Sequence, residues 1–335
     1  MHVDDSISAD QALRLINRGT TLRWKGDYHN AKQLLAALGR RLPADRTGPF
    51  HARRRAQAER TRILNSLLVP LTDHQVTLRR APDVSAACTE AYGPPTGHRW
   101  VPLRELLGVI GAHQLRVRGV HVPALGDRIH PHYTVFAPTR SEYADLVAQH
   151  PLARTRTAFD IGTGTGVLAA ILARRGIPRV VATDNNPRAV LCARENLDRL
   201  RLTAEVLQTD LFPPGAAELI VCNPPWIPAK PLTALDHAVY DENSRMLRDF
   251  LRTAREHLRP EGEVWLILSD LAERLGLRTR AELLSLIHAG GLKVISRTDT
   301  APHHRRARTP ETTSLWRLKP NPAPRRSRQL PQLGR

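Results

Sequence analysis

The sequence predicts an α/β protein, a parallel sheet with helices on both faces, preceded by an N-terminal α+β region. Three observations carry this. From about residue 152 onward, short apolar runs alternate with amphipathic helical stretches, the pattern that builds parallel strands joined by helices. The first of these strands runs directly into a glycine-rich turn, Gly162-Thr163-Gly164-Thr165-Gly166, and a helix follows at once. Carboxylates, Asp160, Asp184 and Asp210, then stand at the carboxyl ends of three successive strands.

Element by element, the N-terminal half is mixed. Helical apolar spacing marks residues 10–18 and 28–42, the latter with Ala31, Leu34, Leu35 and Leu38 on one face. A further helix is predicted over residues 51–68; it carries Arg53, Arg54, Arg55, Arg60 and Arg62 with only Glu59 opposed, either a solvated face or a contact for a polyanion. Short β-like runs (75–78), a Gly93-Pro94-Pro95 break and a helix over 103–110 follow. Alternation in residues 115–118 and 133–136 predicts a hairpin. In the second half, strands are expected at 158–162, 180–184, 204–210, 219–223 and 263–269, with helices at 167–175, 187–200, 245–258 and 279–289. Residues 293–297 and 314–318 suit a closing strand pair. The expected domains are residues 1–130, a substrate-recognition or lid domain, residues 131–319, the α/β domain, and residues 320–335, a disordered basic tail rich in Pro and Arg.

Composition bounds the function. The 335 residues are 41% hydrophobic and 24% charged, as in ordinary globular proteins. No apolar run is long enough for a membrane span, and the first residues lack the basic and apolar regions of a signal peptide. Cys88, Cys192 and Cys222 are far apart and form no CxxC pair, which points away from disulfides and zinc. A cytoplasmic protein, and a monomer, is expected. His121, His130 and His132 lack metal-ligand spacing and are read as surface or entrance-loop histidines, so no metal is expected. Fifty basic residues against 32 acidic give a net charge of +18, which favours polyanionic partners, nucleic acid among them, or reflects a general enrichment in Arg.

The glycine turn allows close approach of a ligand to the backbone. Its G-x-G-x-G spacing differs from the G-x-G-x-x-G of dinucleotide enzymes, and Asp160 would oppose a pyrophosphate while balancing a cation. Asp184 is placed to accept from ribose hydroxyls, and Asp210, in Gln208-Thr209-Asp210-Leu211, to receive an adenine amino group. In type, order and spacing these motifs resemble class I S-adenosylmethionine-dependent methyltransferases over about residues 158–318. The resemblance implies a Rossmann-like, seven-stranded domain that binds S-adenosyl-L-methionine and releases S-adenosyl-L-homocysteine. It also implies contacts from Asp160, Gly162, Thr163, Gly164 and Gly166 to the methionine part, ribose on Asp184, and adenine between Asn185, Asp210 and Leu211; Asn223 is counted among the cofactor-binding residues as well.

The fourth of these strands continues into Asn223-Pro224-Pro225-Trp226. Two prolines fix an extended loop. The Asn223 side-chain oxygen and the Pro224 carbonyl can accept hydrogen bonds from one NH2 group, and Trp226 offers a flat face to a planar acceptor. Paired acceptors would draw a planar nitrogen toward tetrahedral geometry as it attacks a sulfonium methyl. This tetrapeptide resembles the amino-methylating, small-domain branch of the family, including protein-glutamine N5-methyltransferases and rRNA or DNA adenine or guanine N-methyltransferases. Phe136-Ala137-Pro138-Thr139-Arg140-Ser141-Glu142-Tyr143 resembles the Pro-Arg-x-x-Glu segment of the glutamine group, with Thr139 intervening. Asp241-Glu242-Asn243-Ser244-Arg245-Met246-Leu247 loosely matches that group's Gly-Gly-Asp-Gly-Leu stretch, and Trp226 stands where those enzymes usually have Tyr.

The expected acceptor is therefore macromolecular: a glutamine amide of a translation protein or ribosome, with RNA or DNA exocyclic amines as the alternative. A small-molecule N-methyltransferase and a non-catalytic nucleic-acid-binding module are the further alternatives.

Overall fold

The computed structural model describes residues 1–43, 48–233, 236, 238–301 and 311–322. These form two compact units. The first comprises Met1–Val122 and Gly126–Thr139 with Leu232 and Thr233; the second comprises Pro123–Leu125, Arg140–Pro231 and the described residues from Asp236 onward.

The first unit contains β1 (His2–Val3), α1 (Ala9–Asn17), β2 (Leu22–Trp24), α2 (Tyr28–Arg41), α3 (Phe50–Asn65), β3 (Leu67–Thr72), β4 (Gln75–Val76), α4 (Ser85–Tyr92), β5 (His98–Pro102), α5 (Leu103–Arg118), β6 (Val120–Val122) and β7 (Asp127–Ile129). Strands β1, β2 and β3 run parallel, while β4 and β5 pair antiparallel with β3. The apolar faces of α1 and α2 pack on this sheet through Ile16, Leu34 and Leu38. Helix α2 begins at Asp27, whose buried carboxylate accepts the His29 amide at 2.8 Å and the Arg80 and Arg79 guanidiniums at 2.7 and 3.0 Å. The Arg80 bond foremost holds that carboxyl well below its ordinary value.

Two expectations for this unit are corrected. The predicted helix over 51–68 ends at Asn65, because the apolar run from Leu67 to Leu71 is β3, buried in the sheet. The predicted hairpin of 115–118 with 133–136 does not form. Residues 115–118 are the last turn of α5, whose Leu103, Leu106 and Val109 face the core, and Gly119 ends the helix at φ 70° with its amide bonded to the Leu115 carbonyl. A four-residue alternation fits a helix as well as a strand, and the preceding apolar period decides. The hairpin that does form is β6 with β7.

The second unit contains α6 (Glu142–Gln149), β8 (Thr157–Ile161), α7 (Val167–Arg174), β9 (Arg179–Asp184), α8 (Pro187–Leu200), β10 (Glu205–Gln208), β11 (Ala217–Cys222), α9 (Arg245–Thr253), β12 (Leu258–Ser269), α10 (Leu271–Arg274), α11 (Arg280–Ala289), β13 (Leu292–Thr300) and β14 (Thr313–Pro320). Its seven strands lie in the order β10-β9-β8-β11-β12-β14-β13. The first five are parallel, and β14 inserts antiparallel between β12 and β13. Strand β8 is central and buried at every residue, as its apolar run requires. The chain leaves β8 toward β9 on one side and later returns to β11 on the other. Such a divergence leaves a crevice beyond the carboxyl ends of the two strands, where open α/β sheets bind ligands. Phe159, Ile220, Leu247, Phe250 and Leu266 fill the core on one face of the sheet. Of the tail expected from residue 320, Pro320 ends β14, and residues 323–335 lie outside the described residues. Among the described residues no helix is long and apolar enough to cross a membrane.

Candidate active site

The crevice is built by register. Asp160 on β8 lies opposite Ala182 on β9 and Val221 on β11, and Ile161 opposite Thr183 and Cys222. One residue further on, Asp184, Gly162 and Asn223 therefore stand level on three neighbouring strand ends. With strands about 4.8 Å apart, roughly 10 Å separates the first from the third.

Asp160 is 1% exposed. A buried carboxylate needs hydrogen bonds. The Thr163 hydroxyl donates to it at 2.6 Å and the Ala169 amide at 3.0 Å. Ala169 is the third residue of α7, whose N-cap, Gly166, has no side chain, so Asp160 caps that helix from the neighbouring strand. Burial pushes the carboxyl up to about 6; these two hydrogen bonds lower it, and the nearby Asp184 charge raises it.

The three glycines of the turn all have left-handed φ, at 71°, 57° and 79° for Gly162, Gly164 and Gly166, a region that other residues enter at a cost. Their surroundings differ. A β-carbon on Gly166 would meet the Ala193 backbone of α8 at 3.1 Å, and one on Gly162 the Met246 methyl at 2.8 Å. One on Gly164 would meet nothing within 4 Å. The turn is laid along the end of β9: the Thr163 amide bonds the Thr183 carbonyl at 2.8 Å, and the Gly164 amide bonds Asp184 at 3.0 Å. Asp184 also accepts the Asn186 amide at 2.9 Å, and burial raises its carboxyl. Asn185 and Asp210 approach to 3.5 Å, a weak contact at an exposed site, and Leu211 turns through φ 57° with its carbonyl accepting the Thr183 hydroxyl at 2.6 Å.

Across the crevice, Asn223, Pro224, Pro225 and Trp226 leave β11. The Trp226 indole N–H donates to the Asn223 side-chain oxygen at 2.9 Å, and the Arg140 guanidinium lies 5.5 Å from the Trp226 ring centre. Arg140 donates to Glu142 at 2.8 and 2.6 Å and also to Glu311. The loop is tied off where the Ile227 amide bonds the Val239 carbonyl at 3.0 Å and the Asp241 amide bonds the Ile227 carbonyl at 2.9 Å. Asp241 then caps α9 through the Met246 and Leu247 amides, reaching past two left-handed residues, Asn243 and Ser244. The neighbouring Cys222 thiol is pushed far up by burial and by the Asp160 and Asp241 carboxylates, which leaves it inert.

The structure thus brings together Asp160, the glycine turn, Asp184 and Asn223, with Asn185, Asp210 and Leu211 along the β9–β10 edge. His121, His130 and His132 stand in the other unit, where His130 bonds the Arg116 carbonyl at 2.6 Å and His132 is buried. Among the described residues no group of His, Cys, Asp and Glu side chains is placed to hold a metal ion. The contacts of Met246 with Gly162 and of Glu311 with Arg140 are brought in by long-range folding, and no local pattern in the sequence marks either pairing.

A Rossmann-like, seven-stranded sheet in this strand order, with a glycine turn after β8, is the arrangement that the resemblance to class I methyltransferases implied. Comparison with known proteins agrees, and the predicted resemblance holds. Residues 128–277 match the family model described as methyltransferase small domain. The chain is 33% identical over 156 residues to a release factor glutamine methyltransferase of Shewanella oneidensis, covering 41% of this chain and 52% of that one. It is 43% identical over 77 residues to a ribosomal protein L11 methyltransferase of Pelobacter propionicus, covering 22% and 25%. A ribosomal RNA small subunit methyltransferase C of Alcanivorax borkumensis is 30% identical over 120 residues, covering 35% and 34%. The chain therefore spans about half or less of the length of these relatives.

Proposed function

We propose that this protein transfers a methyl group from S-adenosylmethionine to a planar NH2 nitrogen of a macromolecule, with the side-chain amide of a glutamine in a translation protein as the leading acceptor. The observation that carries this reading is the register that sets Asn223 level with Gly162 and Asp184 at the switch point of the sheet. The residues fit the cofactor. Gly164 leaves its outer side open for a ligand against the backbone, and Asp184 keeps lone-pair capacity for a ribose hydroxyl beyond the backbone amides it already accepts. Asp160 places negative charge beside the turn, suited to the cationic methionine end. When bound, the cofactor supplies a methyl group on a sulfonium.

The chain's own residues do the rest. One lone pair of the Asn223 oxygen is engaged by Trp226, and the second, with the Pro224 carbonyl, accepts both N–H bonds of the acceptor. Those acceptors favour the tetrahedral nitrogen and the positive charge that develops as the N–CH3 bond forms and the methyl–sulfonium bond would break to a thioether; the surplus N–H proton then leaves to solvent. Relatives named for a release factor and for a ribosomal protein support a protein acceptor. The exocyclic amine of a nucleobase is the second reading, favoured by the net charge of +18 and by the relative named for ribosomal RNA.

The test is transfer of labelled methyl to a purified release factor and, separately, to deproteinised ribosomal RNA, each followed by protease or nuclease digestion. Label destroyed by protease supports the leading reading; label destroyed by nuclease alone replaces it with the second. Asn223→Ala should cut transfer by about 10²-fold or more while cofactor affinity holds; retained turnover rejects amino methylation at this loop.

A further inference from the structure

Resting on that reading, the structure supports a more specific inference about how the acceptor loop is held. We propose that Arg140 is a positioning residue for the Asn223 amide, acting through the Trp226 indole.

A side-chain amide has an oxygen end and an NH2 end of nearly equal size, and the two can exchange by rotation. Only the oxygen end serves an acceptor that itself presents an NH2 group, since the other orientation sets donor against donor. The indole N–H is a donor with no acceptor capacity. Its contact with Asn223 at 2.9 Å therefore selects the oxygen and directs the NH2 away. Tyr or Phe at position 226 would keep a flat face but carry no ring N–H there. Trp226 thus has an orienting function in addition to any stacking.

The indole must itself be held still. One of its faces meets the Arg140 guanidinium, within the range of a cation–π contact. Arg140 is fixed in turn by two carboxylates from different parts of the chain. Glu142, the first residue of α6, is 1% exposed at its side chain, and Glu311, just before β14, is 8% exposed. Both bond the same guanidinium, which locks the plane that covers the indole. The order of support runs from the carboxylates to Arg140, from Arg140 to Trp226, and from Trp226 to the Asn223 oxygen.

The first experiment needs no acceptor. The Trp226 indole N–H is assigned in a ¹H–¹⁵N spectrum of the full chain by its loss in Trp226→Phe, and its solvent exchange is then followed. Exchange should quicken about fivefold or more in Asn223→Ala, the equivalent of one ordinary hydrogen bond, and measurably in Arg140→Met. Arg140→Lys, which keeps the charge, should restore part of the protection. Unchanged exchange in Arg140→Met overturns the proposal.

The second experiment uses methyl transfer to release factor and to ribosomal RNA. Trp226→Phe should lower kcat between about two- and fivefold, with the acceptor KM and the cofactor Kd unchanged. The Trp226→Phe/Arg140→Met double variant should be no slower than Trp226→Phe alone, because both act on one orientation. Wild-type kcat in Trp226→Phe, or losses that multiply in the double variant, sinks the proposal. Should Arg140→Met not fold, Arg140→Lys with the same cycle takes its place. These outcomes are separate from the test of function, in which a fully active Asn223→Ala removes the underlying reading.

Discussion

Asp160→Asn separates the structural part of this residue from its part in binding. The carboxyl is buried on the central strand and pushed up to about 6 from 3.8, burial being the main cause. A group bound more tightly to its proton in the folded chain subtracts stability as pH rises, so stability falls between about pH 4 and pH 6. The difference between 3.8 and about 6 corresponds to about 3 kcal/mol. Asparagine keeps the shape, and its oxygen can accept both the Thr163 hydroxyl and the Ala169 amide. Asp160→Asn should therefore be more stable than wild type above pH 6, by up to about 3 kcal/mol, and should lack the decline across that window. On the proposed assignment, in which the ionised carboxylate balances the cationic end of the ligand, the same substitution should weaken S-adenosylmethionine binding. Binding to the wild type near pH 5 should release a proton, because a cation favours the ionised form. Denaturant unfolding of both proteins at about pH 4.5 and 8, with calorimetric titration in two buffers of different ionisation enthalpy, measures all of this. Equal stability at the higher pH, or binding without proton release, refutes the argument.

The strand-end and turn positions yield three further expectations. Asp184→Ala removes the proposed ribose acceptor and leaves the Gly164 amide unbonded; cofactor Kd by calorimetry should rise at least tenfold or so, and an unchanged Kd rejects the assignment. Gly164→Ala places a methyl in open space at a φ of 57°, so it should lose only about 1 kcal/mol of stability yet bind cofactor poorly if that side of the turn is occupied by ligand. Gly166→Ala drives the added methyl into the Ala193 backbone and should cost clearly more in urea unfolding; a smaller loss than at Gly164 would contradict the close packing of the turn on α8.

Much of the second unit was legible in the residues because its signals are local. Strand, turn and helix follow one another within a few residues at Asp160 to Val167. The capping side chain of Asn186 and Pro187 mark the start of α8, and its predicted span, 187–200, matches the helix found. The first unit was harder. Alternation over four residues at 115–118 was shared by two conformations, and the exposed Val117 gave no sign of which face it served. There the Gly119 stop signal was the better guide.

The amino-acid sequence by itself determined the strand and helix alternation of the second unit, the three left-handed glycines that only glycine accommodates cheaply, and the carboxylates and Asn-Pro-Pro-Trp loop at strand ends, because backbone sterics and apolar period act over short range. Tertiary structure decided the strand order, the insertion of β14 between β12 and β13, and with these the meeting of Asn223 with Gly162, a pair 61 positions apart. It also decided that Trp226 bonds Asn223 and that Glu142 and Glu311 close on Arg140. Such contacts depend on which strands pair across the sheet, and that is set by burial of the whole core rather than by the residues that meet.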